Sequence, residues 1–369
     1  MPTLQPRIDA LRQIMDRRGT DAIMIVPGWN MVYFTGLEFH LSERPILAIF
    51  TRAGLGIILP KLEQPKLSQR PDLGAQPFAW DDSEGFMGAF ERAIDALNLR
   101  GKTIGVDGMT MRLSEWLALT SIDSSLKPLK VEDDLTRIRA RKQPDEIAQM
   151  RRAVEISERA LAQLLSEIQP GMTEQQIGAR LNQLQMELGA HGLAFDSLIQ
   201  TGPNSASPHG FTTDRVLQRD ELLLIDYGCK VNGYPSDITR TFVIGTPTDE
   251  MKRIHEVVLR ANEAARAVGR PGVAMGELDR AARDVIEAAG YGAYFTHRTG
   301  HGLGLDPHET LPQIAPNFPD VLEPGMTFTI EPGIYISGLG GVRIEDNVLV
   351  TDDGLESLTT FPRALTFSA

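Results

Sequence analysis

This sequence of 369 residues predicts an α/β domain followed, beyond residue 140, by a domain built from a duplicated helix–helix–hairpin unit. Three observations lead there. Short apolar runs bounded by Gly, Pro or Asp alternate with helical patterns over the first third of the chain. A charge-dense stretch, 131–153, then interrupts them. After it, short motifs recur in the same order roughly 100 residues apart.

Taken in order, Ile8, Leu11, Ile14 and Met15 mark one face of a helix that Gly19 ends. Buried strands are expected at 22–26, 31–34, 46–50, 56–59 and 103–106, with a helix over 85–97. Pro144, followed by Asp145 and Glu146, suits the first turn of a long helix reaching 168. Thr173 with Gln176 three residues on forms a capping-box pattern that opens the next helix. An apolar strand at 222–225 leads into Asn232-Gly233, a strong hairpin signal. The domains are therefore placed at 1–140 and 141–369.

The repeat is visible in three sets of matches. Pro170-Gly171 and Gly189 return 101 residues later as Pro271-Gly272 and Gly290. Thr201-Gly202 with Pro208-His209 returns as Thr299-Gly300 with Pro307-His308. Ile225-Asp226-Tyr227-Gly228 returns as Ile330-Glu331-Pro332-Gly333. A duplication would set equivalent polar residues around one pseudo-two-fold axis.

Composition narrows the chemistry. The chain is 42% hydrophobic and 23% charged, as soluble proteins are. No apolar run approaches the roughly 20 residues of a membrane helix. Residues 1–10 are polar and include Asp9, so no signal peptide is expected. One cysteine, Cys229, excludes an intramolecular disulfide and a Cys-based zinc cluster. A net charge of −12 disfavours a nucleic-acid surface. The expectation is a soluble, cytoplasmic, acidic protein that does not use thiol chemistry.

A two-residue turn at Asn232-Gly233 sets Val231 against Tyr234, Gly228 against Asp237 and Asp226 against Thr239. Asp226 and Asp237 then share a face, close enough to hold a cation between them. Taken alone, the pair fits a hairpin with its aspartates on a wet face equally well. A second acidic pair decides for the metal. Glu331 ends one apolar run, and Glu345, which shares a strand face with Arg343, lies beyond a Gly-rich turn. In the repeat Glu331 is the counterpart of Asp226, and Glu345 approximately that of Asp237. Four converging carboxylates repel one another in a low-dielectric site, and two divalent cations resolve that repulsion. Of seven histidines, His209, His297, His301 and His308 fall among these motifs. His308-Glu309 does not begin HExxH, so the zincin pattern fails.

The set Asp226, Asp237, His301, Glu331 and Glu345 resembles the five-ligand dinuclear site of the creatinase/methionine-aminopeptidase superfamily, the pita-bread fold. Segments 234–242, 300–306, 331–335 and 341–346 are similar to its Xaa-Pro branch, the Xaa-Pro dipeptidases (prolidases) and aminopeptidases P. The likeness spans the chain and implies an α/β creatinase-like domain before an α+β pita-bread catalytic domain. It implies those five residues as metal ligands, with Glu331 also the proton shuttle. It implies His209 and His308 as holders of the substrate carbonyl and oxyanion, and His297, Tyr335 and Arg343 as lining the cleft. The oxygen-rich donor set favours two Mn²⁺ ions, with Co²⁺, Zn²⁺ or Fe²⁺ as alternatives. The resemblance further implies a proline-containing di- or oligopeptide substrate and a homodimer.

One position departs from the pattern. Many prolidases carry Arg in the motif after the second histidine, where this chain has Gln313. Candidates to receive a dipeptide carboxylate instead are His297, Arg298 and Arg343, or His40 and Arg44 in the segment 36–45 of a partner copy. An Xaa-Pro dipeptidase is the expected activity. Aminopeptidase P is the near alternative, and a non-peptidase hydrolase or lyase, or a metal-free binding protein, the distant ones.

Overall fold

The computed structural model describes residues 4–366, and the chain divides into two compact units between Arg139 and Ala140. The first unit holds one mixed sheet. Its strands are β1 (Ala22–Ile25), β2 (Leu47–Thr51), β3 (Leu55–Pro60), β4 (Gln76–Trp80), β5 (Thr103–Val106) and β6 (Lys127–Lys130), ordered β4-β3-β2-β1-β5-β6. The helix Met87–Ala96 buries Phe90, Ala93 and Ile94 in the same apolar cluster as Met24, Ile49 and Ile58 of the sheet. The helix Gln5–Arg18 ends at Gly19, whose φ of 68° lets its N–H reach Met15 O.

Residues 31–34, expected as a strand, belong instead to the helix Trp29–Thr35. Five of its seven residues are buried, so the apolar run carries no helical period. Gly36, at φ 66°, caps it through Val32 O. Strands β4 and β6 escape a pattern search because both are short sheet edges interrupted by a proline, and β6 has lysine at both ends.

The second unit repeats a helix pair followed by strands. The pairs are Pro144–Glu167 with Glu174–Glu187, and Asp249–Val268 with Met275–Ala288. After the first come β7 (Gly192–Leu193), β8 (Leu198–Thr201), β9 (Leu222–Tyr227), β10 (Cys229–Val231), β11 (Tyr234–Pro235) and β12 (Ile238–Val243). After the second come β13 (Gly300–Gly302), β14 (Glu309–Ile314), β15 (Thr327–Ile330), β16 (Gly333–Ile336), β17 (Gly340–Arg343), β18 (Asp346–Val350) and β19 (Leu355–Ser357). The main sheets run β12-β9-β8 and β14-β13-β15-β18-β19. The duplication reaches single bridges: Thr173 pairs with Val216 as Ala274 pairs with Val321. The capping box of Thr173 and Gln176 is formed. Cys229 is fully buried.

The first hairpin keeps the expected register, with Val231 opposite Tyr234 and Thr239 opposite Asp226. Asn232 and Gly233 both take positive φ, 49° and 87°, as a type I′ turn requires. The second hairpin corrects one equivalence. Gly333 pairs with Arg343 and Ile330 with Asp346, which sets Glu331 opposite Glu345. By register, then, Arg343 stands where Asp237 stands in the first half, and Glu345 where Thr239 stands. The two positions differ by two residues and so share a face, which is why the approximate match pointed the right way. Among the described residues, no helix is long and apolar enough to cross a membrane.

Candidate metal centre

Both hairpins deliver acids to one place. Donor atoms of Asp226, Asp237 and Glu345 lie within 4.8 Å of one another, as do those of His301, Glu331 and Glu345. His301 Nε2 is 3.4 Å from Glu331 Oε1 and 3.6 Å from Asp237 Oδ2. His301 Nδ1 lies 3.0 Å from Gly302 O, an acceptor only, so Nδ1 carries the proton and the Nε2 lone pair faces the carboxylates. A lone pair aimed at two carboxylates suits a shared cation and little else.

The electrostatics agree. Burial holds the Asp237 and Glu345 carboxyls well above their ordinary range, and neighbouring carboxylates push further. Burial also lifts Glu331 to about 7, against the pull of Arg343. It lowers His301 to about 3, so the imidazole is a neutral donor. Asp226 Oδ1 is buried with no hydrogen-bond partner. These donors therefore fit a divalent metal, and one histidine with four carboxylates is a hard set.

The backbone around the cluster is braced. Asn347 Oδ1 accepts from Asp237 N at 3.0 Å while its amide donates to Asp237 O. Thr239 Oγ1 donates to Glu345 Oε2 at 2.6 Å. Thr329 Oγ1 accepts from His301 N and donates to Glu331 Oε1, both at 3.1 Å. The fully buried Arg240 donates to Glu345 O, Asp346 Oδ1, Phe361 O and Pro362 O. Sequence reasoning gave Asn347, Thr239, Thr329 and Arg240 no role at the site. Thr239 was within reach, since the register already set it against Asp226.

Arg343 is fully committed. It donates to Asp226 Oδ2 at 2.5 Å, Tyr335 Oη at 2.9 Å and Thr239 Oγ1 at 3.1 Å. His297 Nδ1 faces Arg298 O at 2.7 Å, so its Nε2 accepts from the Tyr335 hydroxyl at 2.9 Å. Burial lowers His297 to about 4 and pushes Tyr335 up to about 12, which keeps this relay neutral.

A cavity of about 700 Å³ opens over the acids, and His209, His297, Arg298, His301, His308 and Arg343 are in its wall. Phe195, Phe211 and Thr212 line it too. Phe211 is 83% exposed, and no periodicity marks it in the sequence. The His308 ring lies 4.2 Å from that of His301, and burial lowers its pKa. It also comes within 4.8 Å of Asp237 and His301, close enough to be a donor itself. Among the described residues the Arg298 side chain makes no hydrogen bond or ion pair. Gln313 pairs with His301 across the sheet and is not in the cavity wall.

His40 and Arg44 belong to the first unit. The Arg44 guanidinium is bidentate to Asp82, at 3.0 and 2.8 Å, and also meets Glu43. His40 lines a separate hollow of about 550 Å³ with Lys66 and Arg70.

Comparison with known proteins places this geometry. The model of metallopeptidase family M24 matches residues 148–352, and that of the creatinase/prolidase N-terminal domain matches residues 7–141. The chain belongs to family M24. Its second unit has the pita-bread fold of that family's catalytic domains, and the family is one of metal-dependent peptidases. The Xaa-Pro dipeptidase of Pyrococcus furiosus is 36% identical, covering 98% of this chain and all of that one. A prolidase structure from Thermococcus sibiricus superposes with a TM-score of 0.93 at 33% identity, covering 99% of both chains. An X-Pro aminopeptidase structure from Thermotoga maritima gives 0.87 at 32%, covering 97% of this chain and 99% of that one.

Proposed function

We propose that this M24 enzyme is an Xaa-Pro dipeptidase using two divalent ions held by Asp226, Asp237, His301, Glu331 and Glu345. The observation that carries the dipeptide preference is Arg298, a cation in the cavity wall with no partner of its own among the described residues. A dipeptide places a carboxylate beside the scissile bond, and burying that charge unpaired is costly. Its relatives named as Xaa-Pro dipeptidases support the same substrate.

Divalent ions held by these residues would acidify a water and polarise the scissile carbonyl. Glu331 accepts the proton of the attacking water and passes it to the leaving proline nitrogen. His209 and His308 donate to the carbonyl oxygen as negative charge develops there. The hard donor set puts Mn²⁺ first, then Co²⁺, Zn²⁺ or Fe²⁺, and elemental analysis of the purified protein decides among them.

His209→Ala and His308→Ala are expected to lower kcat about 10²-fold or more, with fold and metal content intact. If His308→Ala loses metal, that ring is a ligand and its role here is wrong. Arg298→Ala is expected to raise KM for Ala-Pro at least about tenfold, leaving longer Xaa-Pro-Yaa peptides nearly unaffected. Arg44→Ala is expected to do less, because Asp82 already holds that guanidinium. His40 and Arg44 are proposed to act on the substrate from segment 36–45 of the other copy in a homodimer. A monomer in sedimentation would remove them from the site.

Cleavage of longer peptides, as by aminopeptidase P, is the second reading. The cavity of about 700 Å³ favours it, being roomier than a dipeptide needs. Equal response of both substrates to Arg298→Ala, or faster turnover of the longer one by the wild type, would decide for it.

A further inference from the structure

Beneath the loop that carries His308 lies an ion pair outside the cavity. Lys142 Nζ is 3.0 Å from Glu309 Oε2, and both side chains are only 1% exposed. Lys142 sits just before the helix Pro144–Glu167, and its backbone N–H donates to Gly325 O at 2.8 Å. Its ammonium also donates to Ala140 O at 3.3 Å. Glu309 follows His308 directly and opens β14. Gly304 makes the space: a Cβ there would overlap Glu309 Oε1 and Lys142 Cε. Neither charged residue lines the cavity.

Burying two charges is a poor way to stabilise a fold. Their attraction repays dehydration only with good geometry and further hydrogen bonds, and apolar replacements of similar volume often do as well or better. What an ion pair supplies, and an apolar contact does not, is a directional anchor. This one sits one residue from a ring that must stay in register with its neighbours. The His308 N–H is held by Asp306 Oδ1 at 3.0 Å, and its ring is stacked on that of His301 with a 32° tilt. The loop between Gly304 and His308 is thus fixed at one end by Asp306 and at the other by Glu309.

We infer that Lys142 and Glu309 form a positioning pair that holds His308 over the cluster of acids. The inference rests on the reading of His308 as a substrate-holding residue. Lys142 acts through Glu309, and Glu309 through the backbone of His308; neither touches substrate.

The test is a double-mutant cycle on the full-length, metal-loaded enzyme with Ala-Pro as substrate. The paired replacement Lys142→Met with Glu309→Leu, and separately the isosteric Glu309→Gln, are each made with His308 present and with His308→Ala. With His308 present, the paired replacement is expected to leave Tm and metal content near wild type and KM within about twofold, while kcat falls about tenfold. Glu309→Gln is expected to fall between it and wild type. In the His308→Ala background neither change is expected to lower kcat further, a non-additivity that a merely structural role does not produce. Equal losses in both backgrounds, an unchanged kcat with His308 present, or a paired variant that cannot fold overturns the inference. If His308→Ala alone leaves kcat unchanged, the reading of His308 fails and the inference falls with it. If His308→Ala lowers kcat and the pair variants do not, the inference alone fails.

Discussion

Glu331→Gln is expected to reduce kcat for Ala-Pro by more than the ~10²–10⁴ that a general base alone contributes. The reason is that one carboxylate has two duties in the proposed site. Glu331 lies 3.4 Å from His301 Nε2 within the donor cluster, where it would both help hold the metal and face the attacking water. Glutamine keeps the shape and one oxygen but cannot take the proton. KM should change far less than kcat, since the groups assigned to the substrate ends are Arg298, His209 and His308. Steady-state kinetics at saturating metal, with metal content measured alongside, checks this. A kcat within tenfold of wild type would remove Glu331 from the chemistry.

Removing the metal is expected to abolish hydrolysis and to expose a pH dependence of stability that the loaded enzyme lacks. The sign follows from the acids. Burial raises Glu331 from 4.5 to about 7, and it raises Asp237 and Glu345 as well. Between those values the folded chain holds protons that the unfolded chain has released. Stability from this source is complete below about pH 4.5 and lost as pH rises through about 7. Burial also lowers His255 and His297 to about 4 and His301 to about 3, which adds stability as pH rises toward 6.5. The loss from the acids is therefore read above that range, and the metal-free protein should melt lower near about pH 9 than near about pH 7. Bound cations replace those protons, so loading should flatten or reverse the slope. Calorimetry at both pH values, before and after adding Mn²⁺, is the measurement. A metal-free melting temperature that climbs between those two pH values, or full activity in protein shown to be metal-free, contradicts the proposed site.

Much of this was legible in the residues. Asn232-Gly233 fixed a hairpin whose register, with its period of two, set Asp226 and Asp237 on one face. The repeat then supplied Glu331. What stayed hidden has physical causes. The helix Trp29–Thr35 is buried nearly all round, which erases the 3.6-residue period. The edges β4 and β6 each carry a proline that breaks the strand pattern. The slip between Asp237 and Arg343 arose because faces repeat every two residues, so a displaced alignment still put acids on the correct side. Arg240 and Asn347 act on backbone atoms more than 100 residues away, which no local pattern encodes. Arg298 was only one of several cations in the sequence. Its distinction emerges when Arg343 is seen to be bound to Asp226 and Arg44 to Asp82.

The bracing by Arg240 also bears on when, during biosynthesis, the enzyme can first become competent. Two of the carbonyls that this buried guanidinium meets belong to Phe361 and Pro362, and a third is that of Glu345 itself. A ribosome-bound chain that has emerged only to residue 350 already contains all five donor side chains. It still lacks two of that guanidinium's acceptors, the carbonyls of Phe361 and Pro362, and buried N–H groups left without acceptors are unfavourable. The nascent polypeptide is therefore expected to complete the brace on Glu345 only after the segment past residue 360 has left the exit tunnel. The same dependence makes proteolytic trimming of that segment a way to silence the enzyme without touching a residue in its cavity.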